Sequence, residues 1–504
     1  EICACLVGSE MCIRDSLEDK GIVMSASVRE KAFTQRFYLY LIMTKSAEKL
    51  YMSYAVKNSE GAALMPSYII RSMRKMFSHC LKLSYKDTAQ QNSYVTIPRA
   101  ANSFDNTEIA ANVDEDIIDS LTGGRLVGSV TSFENFAECP LRYYLRYGVD
   151  LKEREEFTFS PVNFGVVLHA VIREVCDEIK KNGESYYLIS DEKRREMVKR
   201  SVAAITDIYQ NSILKDSSRN SFMIKRMEDL ADRTVWAMGE QLKCGDFVPF
   251  VFEHKFNMEV GDGDRKQLMS GTIDRVDICE NGTDVYVRII DYKTGKKDFN
   301  IVKTYYGIDI QLMVYMEAAM KLVAKMRPGK NVIPAGVFYY NISDPIVSAT
   351  TESAEEIEDK IKGELRLKGM VNSDKDIAEK MDNTEGTSLN IPVSRKADGG
   401  FDSRRSKVMN TEQFNILGRF VDVRAIDTAD RIAGGDIRRS PYKDGQFSSC
   451  DRCPYGAVCG FSVDLPGCNY RKLKKFDDEV LWNNIKEGVD ENGKKMDTGA
   501  EERD

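Results

Sequence analysis

Residues 125–474 predict an α/β fold on three observations. Helix-patterned and strand-patterned segments alternate along them, as layered α/β domains require. Two β-branched runs meet at the dipeptide Asn281-Gly282, the strongest short-range signal for a hairpin. Phe164, Val167, Leu168, Val171, Ile172 and Val175 recur at helical spacing and mark a helix with one buried stripe.

The stretch LVGSEMCIRDS resembles the in-frame translation of a transposon-end sequencing adaptor, so 1–16 are expected to be an artefact, with a genuine leader as the alternative, and are set aside with Cys3, Cys5 and Cys12. Residues 17–83 read as a helix, a turn and a β-rich stretch, most patterned over 37–56 (FYLYLIMTKSAEKLYMSYAV). The polar segment 84–124, with Asp114, Glu115, Asp116 and the Gly123-Gly124 break, reads as a linker. Next, Thr131-Ser-Phe-Glu134 has the pattern of a capping box that opens a helix, and Cys139-Pro140 follows. Arg142, Tyr143, Tyr144, Arg146 and Tyr147 suit either a core helix or DNA contact by charge and stacking. Glu253 sits in the strand-like PFVFEHKF, and Gln311 and Tyr315 share a helix face at i,i+4. Residues 475–504 read as a charged, frayed tail.

Composition narrows the function classes. At 504 residues, two or three domains are expected, and 42% hydrophobic with 30% charged residues is the balance of a globular protein. No apolar run has the length of a membrane span and no signal peptide is evident, so the expected location is cytoplasmic, with no membrane partner. A net charge of -7 excludes a general blanket of positive potential, yet a local basic groove or metal ions can still hold nucleic acid.

The strongest chemistry lies in one window. Gly271-Thr-Ile-Asp274-Arg-Val-Asp277 precedes the turn, and Val285-Tyr-Val-Arg-Ile-Ile-Asp291-Tyr-Lys293 follows it. Side chains alternate along a strand, so Asp291 and Lys293 point the same way. If Asn281-Gly282 forms the two-residue turn, Thr272 pairs with Asp291, Asp274 is a diagonal neighbour on that face, and Asp277 points to the other face. Two carboxylates and an ammonium then converge. Hard oxygen ligands suit Mg²⁺ or Mn²⁺, and a lysine beside them can orient water or hold the oxygens of a reacting phosphate, which is what phosphodiester hydrolysis needs. His169, beside an apolar stripe, suits a core histidine as well as a ligand, and a packed amphipathic helix also accounts for Gln311 and Tyr315.

The order Gly165-x-x-x-His169, Gly271-x-x-Asp274, Asp291-x-Lys293, Gln311-x-x-x-Tyr315 resembles the RecB-like branch of the PD-(D/E)xK nucleases. The resemblance implies a restriction-endonuclease-like α/β domain over 125–474. It makes Asp274 and Asp291 ligands of Mg²⁺ or Mn²⁺, Lys293 the catalytic lysine and His169 a further ligand. Gln311 and Tyr315 would support the site or the DNA, and Glu253 matches an acidic position of the branch.

Cysteines add a second signal. Cys450-x2-Cys453-x5-Cys459 is a compact thiolate group near the end of the domain, whereas Cys139 stands alone near its start. A reducing compartment favours metal ligation over disulfides, and four thiolates suit either [4Fe-4S] or zinc. Cys176, Cys244 and Cys279 suit ordinary buried positions. The split of one distant cysteine and a late trio resembles the iron-sulfur staple of the nuclease subunits in the AddAB-type helicase-nuclease family, which implies a [4Fe-4S] cluster on Cys139, Cys450, Cys453 and Cys459. In that family's terms 17–83 looks like a decayed, truncated helicase-like segment, with Lys45 where an active motor carries an arginine, and no G-x-x-x-x-G-K-[ST] loop is present. The expected function is a metal-dependent DNA exonuclease subunit that resects double-strand breaks alongside an AddA-like partner, cutting the 5′-to-3′ strand and hydrolysing no ATP itself. A stand-alone RecB-like nuclease of the CRISPR-associated type and a nuclease-dead DNA-binding scaffold are the alternatives.

Overall fold

The computed structural model describes residues 28–46, 49–52, 54–55, 64–77, 112–114, 116–117, 127–152, 161–208, 218–260, 267–347, 353–463 and 468–490. The expected adaptor at 1–16, most of the expected linker and 491–504 lie outside them.

The chain divides into two units, 1–102 and 103–504, with the division inside the expected linker. In the first unit, helices α1 (Val28–Thr44) and α2 (Tyr68–Met76) are described. Arg36 lies over the rings of Phe33 and Tyr68, 5.8 and 5.4 Å from their centroids. The expected β-rich stretch is corrected here, because Phe37 through Thr44 belong to α1. Aromatic and β-branched residues favour a strand only where a neighbouring strand takes up the backbone groups, whereas a helix satisfies them internally. No strand is described in this unit.

The second unit is built on one mixed sheet. Its elements begin with β1 (Val127–Ser129), α3 (Val130–Glu138), α4 (Pro161–Lys181), α5 (Asp191–Ile208) and α6 (Ser218–Lys243). Strands β2 (Val248–Val260), β3 (Gln267–Asn281) and β4 (Asp284–Lys293) follow, then α7 (Gln311–Met326) and β5 (Asn331–Asn341). Next come α8 (Ala354–Glu364), β6 (Lys368–Asn372), α9 (Lys375–Met381), β7 (Val408–Met409) and α10 (Thr411–Ala433). The strand order is β1-β3-β4-β5-β6-β7, with β2 along β3. A small second sheet holds β8 (Tyr442–Asp444), β9 (Phe447–Ser448) and β10 (Arg471–Lys472), and α11 (Asp478–Asp490) closes the described chain.

Two apolar layers cover the sheet. On one side α4, α5 and α6 pack through Leu168, Ile172, Val198, Val202 and Met238 onto Tyr286, Ile290 and Phe338. On the other, α3, α7, α10 and α11 pack through Phe133, Leu312, Phe420 and Ile485 onto Val285, Val287, Ile289 and Val337. Strand β4 alternates between the layers, as a strand buried on both faces must. The expected frayed tail is also corrected, since 478–490 form α11 with Leu481 and Ile485 buried. A pair of apolar residues on one helical stripe outweighs the charged composition around them.

The hairpin register differs from the expected one by two residues. Asn281 pairs with Asp284, so Gly282 and Thr283 form the loop. Gly282 takes φ 60° at the first loop position, where a type II′ turn requires it. Asn281 stays in the strand and donates to Tyr286 and Asp376 at 3.2 and 3.0 Å.

Candidate active site

Strand β3 is shared along one edge. Its first part pairs with β1 through Leu268, Met269 and Ser270, and its last part pairs with β4 from Arg275 to Asn281. The ladder with β4 ends at Arg275 and Ile290, while β4 continues along β5 as far as Lys293. A notch therefore opens between β3 and the end of β4. Asp274 fills it, its Oδ2 accepting the Tyr292 backbone N–H at 2.6 Å. The carboxylate replaces the carbonyl that a continued ladder would have supplied. Tyr292 lies between Asp291 and Lys293, so this bond brings Asp274 to them.

Asp274 does not arrive there by simple alternation. Phe252 packs with the α4 side and Phe256 with the α7 side, although both occupy even positions of β2. Likewise Cys279 faces the α4 side and Ile273 and Met269 the α7 side, all odd positions of β3. The two strands exchange faces around Glu253 and Asp274, and Glu253 adopts φ 47°, the left-handed region that costs a non-glycine residue about 1–3 kcal/mol. The exchange turns both carboxylates toward α4. His169 of α4 lies 3.7 Å from Glu253 Oε1 and 3.5 Å from Asp274 Oδ1, measured from Nδ1. One ligand atom from each of the three residues falls within 4.8 Å of the others. Burial disfavours the imidazolium, but hydrogen bonds to Asp274 and Glu253 outweigh it and push the His169 pKa up to about 10.

Asp291 and Lys293 project from β4 on the α7 side. Lys293 Nζ is 2.6 Å from Asp291 Oδ2, yet this buried oxygen has no aligned hydrogen bond. Gln311, the first residue of α7, ties the two together: its Nε2 donates to Asp291 Oδ1 at 3.1 Å and its Oε1 accepts from Lys293 at 3.0 Å. The same Nε2 donates to Tyr315 at 3.0 Å. Burial, then the charge of Asp274, push Asp291 up to about 7 against the opposing Lys293. His169, Glu253 and Asp274 offer ligand atoms close enough to share one divalent cation, a group that does not include Asp291. The charge of Asp274 still bears on the buried Asp291 oxygen that lacks an aligned hydrogen bond, a repulsion that a nearby cation would relieve.

Asp277 is engaged elsewhere. It is fully buried on the other face, with Arg275 donating to its two oxygens at 2.7 and 2.6 Å and Arg288 at 2.9 Å.

Four participants escaped the sequence reading. Glu134 does not close a capping box with Thr131, because α3 is capped by Ser129, which accepts from the Ser132 N–H. Instead Glu134 Oε1 accepts the N–H groups of Ile310 and Gln311 at 2.9 and 3.0 Å. Lys297, Asp309 and Tyr339 form a neighbouring network. Lys297 Nζ lies 3.0 Å from Asp309, which accepts from the Tyr339 hydroxyl at 2.6 Å. Both Lys293 and Lys297 sit over the Tyr339 ring, 5.6 and 4.4 Å from its centroid. Lys297, four residues past Lys293, was the one visible signal.

Cys139 is the C-cap of α3, and Cys139, Cys450, Cys453 and Cys459 line one small cavity together with Leu145, Pro441 and Phe461. Burial raises the Cys139 and Cys459 thiols, and the neighbouring thiols add to it. Cys468, also buried, bears on Cys459. In the adjoining LRYYLRY segment Tyr143 is buried edge-on against Phe136, while Tyr147 is exposed with Arg146 over its ring.

The family model of the PD-(D/E)XK nuclease superfamily matches residues 128–460. Curated relatives, each named as the B subunit of an ATP-dependent helicase/deoxyribonuclease, match nearly the whole chain. The one from Clostridium acetobutylicum is 30% identical over 95% of this chain and 46% of its own length. That from Caldanaerobacter subterraneus subsp. tengcongensis is 31% identical over 97% and 47%, and that from Lachnoclostridium phytofermentans 30% over 97% and 46%. The chain spans about half the length of these relatives.

Proposed function

Since the chain belongs to the PD-(D/E)XK nuclease superfamily, we propose that it is the nuclease-bearing part of a helicase-nuclease B subunit and hydrolyses DNA phosphodiester bonds with Mg²⁺ or Mn²⁺. The observation that carries this reading is the Gln311 amide, which binds Asp291 and Lys293 at once while Asp274 holds the backbone between them. Asp274 and His169 would hold the ion together with Glu253, and Asp291, whose buried Oδ2 lacks an aligned hydrogen bond and feels the charge of Asp274, would complete the set. Bound there, a divalent ion polarises the phosphate and lowers the pKa of a water. Lys293 is placed to orient the attacking water and to stabilise charge growing on the phosphate oxygens. Gln311 and Tyr315 keep the ammonium and the carboxylate in register.

The four thiols around the cavity at Cys139 would hold a [4Fe-4S] cluster, a structural staple that ties α3 to the Cys450–Cys459 loop. The relatives are named as subunits of an ATP-dependent helicase/deoxyribonuclease, which supports a larger assembly. In our reading an AddA-like motor partner would unwind DNA there and feed this chain the strand cut 5′ to 3′ during break resection. This chain hydrolyses no ATP, and it acts in the cytoplasm. Among the described residues no helix is long and apolar enough to cross a membrane.

The test is digestion of end-labelled linear DNA by the purified chain, with and without the partner, in Mg²⁺, Mn²⁺ or chelator. Metal-dependent cutting that acquires strand polarity with the partner is expected. Full activity indifferent to the partner would favour the stand-alone nuclease, and DNA binding without cleavage in either metal would favour the scaffold.

A further inference from the structure

The first N–H groups of a helix have no partner inside it. At α7 the N-cap residue, Ile310, supplies no side-chain acceptor. The acceptor comes from α3 instead, 176 residues earlier, where Glu134 Oε1 takes both the Ile310 and the Gln311 N–H. An acceptor oxygen at this end also opposes the positive pole of the helix. Gln311 is the first residue of α7, so the turn that Glu134 holds is the one whose side chain bridges Asp291 and Lys293.

Glu134 is itself held firmly. Helix α3 is capped by Ser129, buries Val130 and Phe133 in the α7-side core, and ends at Cys139. Arg471 donates to the Ala137 carbonyl, fixing the far end of the helix to β10. We propose that Glu134 is a positioning residue for phosphodiester cleavage, acting as a remote cap on α7 that holds the Gln311 amide against Asp291 and Lys293. The role rests on the nuclease reading, but the cap itself can be tested without it.

Without Glu134 the first turn of α7 frays, and Gln311 no longer sets the distance between ligand and ammonium. Loss of a group that orients a ligand or catalytic side chain costs about 10- to 100-fold in activity. Glutamine in its place keeps an oxygen acceptor for both N–H groups and should preserve most of the function.

The experiment uses the full chain as Glu134→Ala, Glu134→Gln, Gln311→Ala and the Glu134→Ala/Gln311→Ala double variant. Hydrogen exchange of the Ile310 and Gln311 amides, read without DNA or metal, should accelerate in Glu134→Ala and stay slow in Glu134→Gln. On a saturating DNA oligonucleotide with Mn²⁺, kcat should fall about 10- to 100-fold in Glu134→Ala with KM within about twofold. The double variant should be no slower than Gln311→Ala, because the two residues act in series. Should the alanine variant not fold, Glu134→Asp withdraws the carboxylate by one methylene while keeping its charge, and the same losses are expected. Unchanged exchange, a kcat within about twofold of the parent, a glutamine variant as impaired as alanine, or multiplying losses in the double variant would each overturn the proposal. A parent chain that cuts no DNA defeats the nuclease reading, and the exchange arm then still decides the cap.

Discussion

Asp277 and Asp291 occupy one hairpin, and burial alone would raise both. At Asp277 the guanidiniums of Arg275 and Arg288 outweigh burial and hold the carboxyl below its usual range. At Asp291 the nearby charge of Asp274 adds to burial. Asp277→Asn should therefore act on the fold, leaving two buried guanidiniums without their anion at a cost of about 3–5 kcal/mol in urea unfolding. Asp291→Asn or Asp274→Asn should instead spare stability and reduce cleavage more than about 100-fold, since even partners outside the metal shell cost 10–100-fold. An Asp277→Asn chain as stable as the parent would refute this division. The pH dependence follows from the same groups. In the metal-free chain Asp291, raised to about 7, contributes stability that is present below its ordinary value and lost as pH rises toward 7. His169, raised to about 10, contributes stability that is present below its ordinary value and lost as pH rises through 10. Cation binding must displace these protons, so calorimetry in buffers of different ionisation enthalpy should detect proton release at pH 8 from His169. A larger release is expected at pH 6, where Asp291 contributes too. No release at pH 8, or the same release from His169→Ala, would remove His169 from the ligands.

Among the elements, α11 was hidden by its charged surroundings, and its worth can be measured. Ile485 is fully buried against the α7-side core, so Ile485→Ala should cost about 2–5 kcal/mol. A loss below 0.5 kcal/mol would mean that α11 is only loosely docked. The β3–β4 hairpin and the helices carrying His169 and Gln311 were legible because period and turn chemistry are local. Asn281-Gly282 located the turn but not which residues form its loop, since glycine fits a positive φ at more than one position. The face exchange at Glu253 was illegible, because no sequence signal announces a glutamate at positive φ. Glu134 was misread for a better reason: Thr-x-x-Glu is a sound capping pattern, and only tertiary structure sends the carboxylate to another helix. Strand bias in 37–44 failed because propensity has no force without a pairing partner.

For the whole molecule, the thiols and the first unit carry the remaining expectations. Anaerobically purified chain should be brown, and Cys139→Ser, Cys450→Ser, Cys453→Ser or Cys459→Ser should bleach it and lower its thermal stability. One equivalent of zinc in a colourless protein would displace the cluster assignment. On the expectation that 17–83 are a decayed helicase-like segment with Lys45 where an active motor carries an arginine, and with no G-x-x-x-x-G-K-[ST] run in the sequence, the chain alone should show no DNA-stimulated ATP hydrolysis. Measurable turnover would contradict the account of 17–83. The wide separation of α3 from its partners also has a meaning in time. Cys139 and Cys459 are 320 positions apart, so at about 5–20 residues per second a ribosome needs roughly 15–60 s to deliver the second after the first. Until the end of that interval the set of thiols that line the cavity at Cys139 is incomplete, and until Gln311 emerges Glu134 has no helix to cap. A chain still short of Gln311 therefore lacks both the helix that Glu134 caps and the amide that bridges Asp291 and Lys293.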